Sequence, residues 1–313
     1  MRVVFMGTPD FAVGTLEALV KAGHEVVLAV TQPDKPKGRG KAMQPTPVKE
    51  AAEAHGIPVY QPVKIRETSC VDYLRTFQPD VIVVVAFGQI LPKSILEMPR
   101  YGCVNVHASL LPKYRGAAPI QWAVIDGEKE TGVTTMRMDE GLDTGDMILK
   151  CVVPLDEKET GGSLFDKLSG AGADLLIETL RQLENGTAVF TKQDSSQSTY
   201  AGMIKKSLGQ IDWRMEAARI ECLIRGLNPW PSAYTKLGGK TLKIWSAEVT
   251  EEASAGHTPG AVVSADGALF VAAGDRVLAL TEVQLEGKKR MDTEAFLRGY
   301  EVLPGTVLGQ EEA

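Results

Sequence analysis

The first half of the chain alternates two rhythms of apolar and polar residues. Arg2–Met6 is a short apolar run of strand length. Phe11, Leu16, Leu19 and Val20 then recur at helical spacing as far as Gly23, with Thr8 placed as N-cap and Pro9 as the first helical residue. Glu25–Thr31 is a second buried strand, Ala51–His55 continues a short helix that stops at Gly56, and Pro58–Gln61 is a further strand. Val71–Phe77 is helical. Asp80–Phe87 is a continuous valine and isoleucine run, the composition of a strand covered on both faces. Cys103–His107 is the next strand, and Ser163–Leu183 is a long helix ending near Gly186. Strands alternating with helices predict an α/β domain with a doubly wound, Rossmann-like parallel sheet. Its sites are expected at the carboxyl ends of the strands.

The rhythm changes after residue 190. Thr191–Tyr200 is polar and reads as a linker. One helix follows, Met215–Arg225. Then come short strand-like runs separated by glycines: Ala233–Lys236, Thr241–Val249, Gly260–Val263, Leu269–Ala272 and Val277–Leu285. Closely spaced short strands predict a small C-terminal β-barrel. A length of 313 residues fits two domains better than one core. The expected division is 1–189, a linker over 190–206, and 207–313. No internal repeat or low-complexity tract is visible.

Composition adds little to this picture, but charge adds a puzzle. The chain is 44% hydrophobic and 24% charged, as ordinary globular proteins are. Cys70, Cys103, Cys151 and Cys222 are far apart, without metal-ligand or disulfide-framework spacing. Reduced cysteines in a cytoplasmic protein are the expectation. The N-terminus reads as a strand and not as a signal peptide. The longest apolar run, Val81–Phe87, falls well short of the ~20 residues that span a bilayer. No interface-like stripe stands out, and a monomer is expected. A formal charge of −6 argues, taken whole, against a nucleic-acid partner.

Candidate chemistry gathers at the end of the strand Cys103–His107. In Asn105-Val106-His107-Ala108-Ser109-Leu110-Leu111-Pro112, Asn105 and His107 are two apart and point to one side. An amide donor and an imidazole aimed at one point can stabilise an oxyanion and move protons. The loop Gly141-Leu142-Asp143-Thr144-Gly145-Asp146 could bring Asp143 to the same point and fix the imidazole's orientation. Taken singly, each of these residues is more often structural: a satisfied histidine, a turn asparagine, an ordinary glycine turn. The first turn, Gly7-Thr8-Pro9-Asp10-Phe11, lacks the Gly-x-Gly-x-x-Gly of dinucleotide-binding dehydrogenases.

Together these motifs resemble the folate-dependent formyltransferase family. The resemblance rests on Asn-x-His-x-Ser-Leu-Leu-Pro, on Tyr114-Arg115-Gly116-Ala117-Ala118-Pro119 and on Gly-Leu-Asp-Thr-Gly-Asp. It extends to Gly7–Ala12, Thr31-Gln32-Pro33-Asp34, Gly38-Arg39-Gly40-Lys41 and Asn228-Pro229-Trp230-Pro231. It implies transfer of the formyl group of 10-formyltetrahydrofolate, as co-substrate, to the α-amine of initiator methionyl-tRNA, held through its acceptor stem and 3′ end. Asn105, His107 and Asp143 fall on the family's catalytic positions, and no metal is required. Asn105's amide and a protonated His107 would stabilise the oxyanion, with Asp143 assisting removal of the amine proton. Ser109, Leu110, Leu111 and Pro112 would line the folate site, and Phe87, Gly88, Gln89, Ile90 and Leu91 would offer backbone groups to the pterin. Ala108 stands where some relatives have glycine; both are small. Transfer to a glycinamide ribonucleotide or a sugar amine, or hydrolysis of the formylfolate, uses the same core motif.

The resemblance also reopens the question of charge. Between Pro33 and Lys49, Lys35, Lys37, Arg39, Lys41 and Lys49 face Asp34 alone, a local +4. A solvated loop is the plain alternative, but in the family this insertion contacts the tRNA acceptor end. Residues 207–313 carry eleven basic and fifteen acidic residues, net −4. Their lysines cluster nonetheless: Lys236, Lys240 and Lys243 in one region, Lys288, Lys289 and Arg290 in another, with Lys205 and Lys206 at the entrance. The family's appended domain is an oligonucleotide-binding (OB-like) barrel that holds tRNA, so tRNA contacts are expected at Lys35, Lys37, Arg39, Lys41, Lys205, Lys206, Lys288 and Lys289. Asn228–Pro231 is expected to shape the barrel's entry. Trp213, Trp230 and Trp245 are expected in the core.

Overall fold

The computed structural model describes residues 1–37 and 42–310. The described chain resolves into two compact units, one taking in Met1–Pro119, Glu130–Pro154 and Phe165–Ala201, the other Ile120–Lys129, Leu155–Leu164 and Gly202–Ala313. In chain order the elements begin with β1 (Arg2–Gly7), α1 (Asp10–Lys21), β2 (Glu25–Val30), β3 (Lys35–Lys37), β4 (Ala42–Gln44), α2 (Pro47–Ala54) and β5 (Val59–Tyr60). Next are α3 (Thr68–Thr76), β6 (Val81–Val85), α4 (Lys93–Leu96), β7 (Cys103–His107), β8 (Arg115–Gly116) and α5 (Pro119–Ile125). They continue with β9 (Glu130–Arg137), β10 (Met147–Pro154), α6 (Gly161–Asn185), β11 (Tyr200–Ala201) and α7 (Ala217–Gly226). The last are β12 (Ala233–Leu237), β13 (Lys240–Ala253), β14 (Val262–Asp266), β15 (Ala268–Ala272), β16 (Arg276–Leu285), β17 (Met291–Asp292) and α8 (Thr293–Leu297).

The first unit's main sheet runs β10-β9-β7-β6-β1-β2-β5 among the described residues. β1, β2, β5, β6 and β7 are parallel, as expected. Alternation across these strands sorts the core. Val4, Met6, Leu28, Val30, Ile82 and Val84 pack with Leu74 of α3 and Ile95 of α4. On the opposite face, Phe11 of α1 meets Phe165 of α6 edge-on at 5.3 Å, and Val106 lies over Gly172 of α6. The chain leaves β1 towards β2 on one side and returns on the other through β6 and β7. The strand order therefore reverses between β1 and β6, which opens a crevice at their carboxyl ends.

Three expectations need amendment. β9 and β10 add two antiparallel strands to the edge of the sheet. Thr131, Thr134 and Thr135 interrupt the apolar pattern of β9 and hide its strand character. All three are buried; Thr135 bonds to Thr179 at 2.8 Å, and Thr134 donates to the carbonyl of Ser109 at 2.7 Å. The basic run 33–49 is not simply a loop, because β3 and β4 pair as a hairpin and α2 begins at Pro47, capped by the Thr46 hydroxyl. Thr8 is not an N-cap: α1 starts at Asp10 behind Pro9, and the Thr8 hydroxyl donates to the carbonyl of Phe87 at 3.1 Å.

The second unit carries an antiparallel sheet in the order β12-β13-β16-β15-β14, with β17 pairing to β16. Among the described residues this path is open and forms no closed ring of strands. Leu242, Ile244, Leu269, Leu278 and Leu280 form its core with Trp213, with Ile220 and Ile224 of α7 and with Phe296 of α8. Trp213 is buried as expected, and Trp245 is half-buried. Trp230 is not a core residue: it is 55% exposed, because the short loop Asn228–Pro231 between α7 and β12 presents it to solvent.

Gly132 is a strand glycine with a visible reason. A Cβ there would sit 2.0 Å from the carbonyl oxygen of Cys151 on β10 and 2.6 Å from Leu110, so only glycine allows the two backbones this approach. Gly132→Ala is expected to lower stability by about 1–3 kcal/mol, as overpacking does. Urea unfolding checks it, and a midpoint equal to wild type would refute the close approach.

Candidate active site

The carboxyl edge of the parallel strands gathers the candidate residues. Cys103, Asn105 and His107 share the face of β7 directed at the α3 and α4 layer. Cys103 is sealed inside, where burial pushes its thiol up to about 12, so it is packing and not a nucleophile. Asn105 and His107 lie further along the strand towards the crevice. Asn105 is 8% exposed. Its side-chain amide makes no hydrogen bond among the described residues, yet it is not sealed from solvent. A polar group this buried is normally paired, and this amide is left uncommitted by the protein's own groups.

His107 is oriented from both sides. Its Nε2 lies 2.9 Å from the carbonyl oxygen of Tyr114. A carbonyl only accepts, so Nε2 carries a hydrogen and donates it. The exchangeable proton position is therefore Nδ1, which faces Asp143 Oδ2 at 3.8 Å. The two side chains are only 7% and 14% exposed. At 3.8 Å the pair is separated by more than a hydrogen bond, which leaves space for the geometry to tighten around a substrate.

The elements around them explain the placement. Tyr114 adopts φ +59°, which turns its carbonyl back towards His107. Its amide donates to the Thr199 hydroxyl at 2.8 Å. The next residues, β8, pair with β11. Gly116 donates its main-chain N–H to Asp143 Oδ2 at 2.8 Å. Gly116 must be glycine: its φ is +117°, and a Cβ would meet the carbonyl oxygen of Ala201 at 2.7 Å. Asp143 itself sits at φ +53° in the loop between β9 and β10. Within that loop Asp139 Oδ1 accepts from the Thr144 hydroxyl at 2.6 Å and from the Gly141 amide at 3.1 Å. Glycine-rich sequence thus produces a folded turn that delivers Asp143.

The other expected residues separate into groups. Phe87 and Leu91 are buried, Ile90 is 85% exposed, and Ala86 and Gly88 take positive φ values. The main-chain N–H groups of Gly88, Gln89 and Ile90 make no main-chain hydrogen bond among the described residues. The Gln89 side chain is committed elsewhere, accepting from the Ile65 amide at 2.8 Å and donating to the carbonyl of Pro62 at 3.1 Å. Ser109 and Leu111 are buried, Leu110 and Pro112 half-buried. The Ser109 hydroxyl donates to the carbonyl of Lys113 at 2.7 Å, and the carbonyl of Leu111 accepts from Lys150 at 2.6 Å. These two residues shape the turn that leads from His107 to Tyr114.

The basic residues do not form one array. Lys35 is exposed on β3, and Lys37 is the hairpin's other described lysine. Gly38, Arg39, Gly40 and Lys41 lie outside the described residues. Lys49 pairs with Asp34 at 2.7 Å, and that contact holds the Asp34 carboxyl below its ordinary range. In the second unit a cavity of about 670 Å³ brings Lys206, Lys236 and Lys243 together with Trp230 and Tyr234. Lys205, Lys288 and Lys289 are exposed but do not line it. Beside Lys243, the Arg290 guanidinium lies 4.6 Å over the Trp245 ring and pairs with Glu282. Tyr114 and Gly116 enter the sequence reading only as part of a motif, without a role, and Gln193 and Thr199 carry no signal in it; the tertiary structure brings all four to the site.

This geometry can be set against known proteins. The formyl transferase family model matches residues 1–180, and the formyl transferase C-terminal domain model matches residues 203–301. The chain belongs to the formyl transferase family. It is 66% identical to the methionyl-tRNA formyltransferase of Agathobacter rectalis over 307 residues, 98% of this chain and 99% of that protein. It is 60% identical to the methionyl-tRNA formyltransferase of Lachnospira eligens over 315 residues, 99% of this chain and 100% of that protein. Among solved structures it shares its fold with WlaRD, a sugar 3N-formyl transferase crystallised in the presence of dTDP and 5-N-formyl-THF. The TM-score is 0.66 at 19% identity, over 92% of this chain and 99% of that one.

The Tyr114 contact makes a direct prediction. In nitrogen-resolved NMR of the imidazoles, neutral His107 is expected as the Nε2–H tautomer. Observation of the Nδ1–H tautomer would overturn the assignment of Nδ1 as the working nitrogen.

Proposed function

We propose that this chain transfers the formyl group of 10-formyltetrahydrofolate to the α-amine of initiator methionyl-tRNA, yielding N-formylmethionyl-tRNA. The observation that carries the chemistry is the uncommitted amide of Asn105 on the same strand face as His107, whose Nδ1 faces Asp143. Near full-length identity to proteins named for this activity supports the acceptor.

The geometry distributes the work as follows. Attack by the neutral amine on the formyl carbon forms one C–N bond and places negative charge on the formyl oxygen. Asn105 Nδ2 and a protonated His107 Nδ1 donate to that oxygen from largely buried positions, where fixed donors act more strongly than in water. Asp143, the carboxylate beside them, accepts the proton the amine loses. As the oxyanion collapses, the C–N bond to the folate breaks and the proton passes to the folate nitrogen. Tyr114 keeps Nε2–H occupied, so only Nδ1 takes part. For the folate, the main-chain N–H groups of Gly88–Ile90, which no main-chain carbonyl takes up, and the turn Ser109–Pro112 after β7 would supply the lining. The residues present fit a flat heterocycle with donor and acceptor edges.

For the acceptor, the lysine-lined cavity of the second unit and the basic composition of the run 33–49 suit a polyanion. We read the second unit as an OB-like, partly open barrel. Register shifts along β13, between Ile244 and Ser246, Ser246 and Ala247, and Val249 and Ala253, support that reading, because such irregularities commonly accompany strand bending. Lys206, Lys236 and Lys243 would track phosphates, with the exposed Trp230 available for stacking. The division at 1–189, 190–206 and 207–313, with catalysis in the first part and tRNA binding in the last, belongs to the same reading, as do a cytoplasmic location and a monomer. Among the described residues no helix is long and apolar enough to cross a membrane.

Formylation of methionyl-tRNA in the presence of 10-formyltetrahydrofolate, with uncharged tRNA and free methionine as controls, tests the proposal; no product from charged initiator tRNA would end it. Asn105→Ala and His107→Ala are each expected to cost about 10²–10³-fold in kcat, the scale of one oxyanion donor, while sparing tRNA binding. Binding of tRNA is expected to fall steeply and linearly on a log–log plot against salt. A flat response would remove the lysine cavity from the proposal.

A further inference from the structure

We infer that Gln193 is a positioning residue of the active site: its side-chain amide holds the Asp143 loop in the form that faces His107. The inference rests on the formyl-transfer reading for its consequence, but its geometry stands alone. Gln193 lies in the polar run after α6, outside every motif described above. Its Nε2 donates both hydrogens into the loop, to the carbonyls of Asp143 and Gly145, each at 2.8 Å. Its Oε1 accepts both arms of the Arg115 guanidinium, from Nε at 3.0 Å and from a terminal nitrogen at 2.8 Å.

All four hydrogen-bonding positions of the amide are therefore used. The orientation is also forced. Arg115 offers only donors and the two loop carbonyls only acceptors, so turning the amide over would set like against like four times. Arg115 is not an arbitrary anchor. Its neighbour Tyr114 accepts from His107 Nε2, and its other neighbour Gly116 donates to Asp143 Oδ2. Gln193 thus closes a ring that grips Asp143 at its carbonyl and at its carboxylate. The strip carrying it is fastened on both sides. Thr191 exchanges two main-chain bonds with Met147, at 2.8 and 2.9 Å, and Thr199 receives the main-chain N–H groups of Tyr114 and Arg115. Within the Asp139–Asp146 loop the bonds to Asp139 are the loop's own; the Asp143 carboxylate reaches out to Gly116 and His107, and Gln193 is the side chain that holds the loop by its main-chain carbonyls.

Gln193→Glu separates positioning from packing. The variant keeps the shape and strengthens the pairing with Arg115, but it replaces the two N–H donors of Nε2 with one carboxylate oxygen that repels both loop carbonyls. We expect kcat to fall about 10–100-fold, the cost of misplacing a catalytic group by roughly an ångström, with KM for both substrates within about twofold. In a double-mutant cycle Asp143→Ala with Gln193→Glu is expected to be no slower than Asp143→Ala alone, because Gln193 acts through Asp143. Losses that multiply, or wild-type turnover in Q193E, would overturn the assignment. If Q193E does not fold, Gln193→Ala carries the same cycle. Hydrogen exchange gives a readout that needs no turnover. The amides of residues 141–145 are expected to exchange about tenfold or more faster in the variant while β7 keeps its protection, and unchanged exchange in the loop would refute the clamp. An inactive wild type would count against formyl transfer, while the exchange result would still decide the role of Gln193.

Discussion

The site depends on one constraint: the imidazole of His107 has a nitrogen that is permanently occupied. With Nε2–H given to the carbonyl of Tyr114, the ring cannot rotate without stranding a buried donor, and a stranded donor costs about 1–3 kcal/mol. Nδ1 is therefore aimed, and Asp143 must be brought to it. The left-handed Tyr114, the Gly116 that tolerates contact with Ala201, and the pairing of β8 with β11 all serve that placement. So does the antiparallel edge of the sheet, because the loop between β9 and β10 is what carries Asp143.

The same layout explains how some buried polar residues are committed to the fold while one is left open. Thr134, Ser109 and Lys150 fix the turn after β7 by direct hydrogen bonds. Each commits a side-chain donor to this turn and so stabilises it. Asn105 differs in that its amide is held by position alone, by β6 on one side and β9 on the other. A rigid strand can keep a donor uncommitted, whereas a loop would fold back and satisfy it.

Charge follows a comparable logic. A net −6 averages over surfaces that behave differently. Lys49 is neutralised locally by Asp34, and Arg290 by Glu282, while Lys206, Lys236 and Lys243 converge on one cavity. Screening confines each group's influence to about 10 Å at 0.1 M salt, so a polyanion meets the local cluster and not the total.

Much of this was legible before the fold was known. The valine run Asp80–Phe87 could only be a buried strand, and the i, i+2 spacing of Asn105 and His107 put both on one face whatever surrounded them. Such features are local, set by backbone periodicity. The threonine-broken β9 and the outward Trp230 were not legible, because each depends on which distant group meets it. Asp143 could be named from its motif, but its 3.8 Å approach to Nδ1 could not. Gln193 shows the limit most clearly. In sequence it is one polar residue in a polar stretch, and in space it is the amide on which the loop hangs. Hydrogen-bond complementarity is a property of atoms brought together across 50 residues of chain from Asp143 and 78 from Arg115, and only the tertiary structure brings them together.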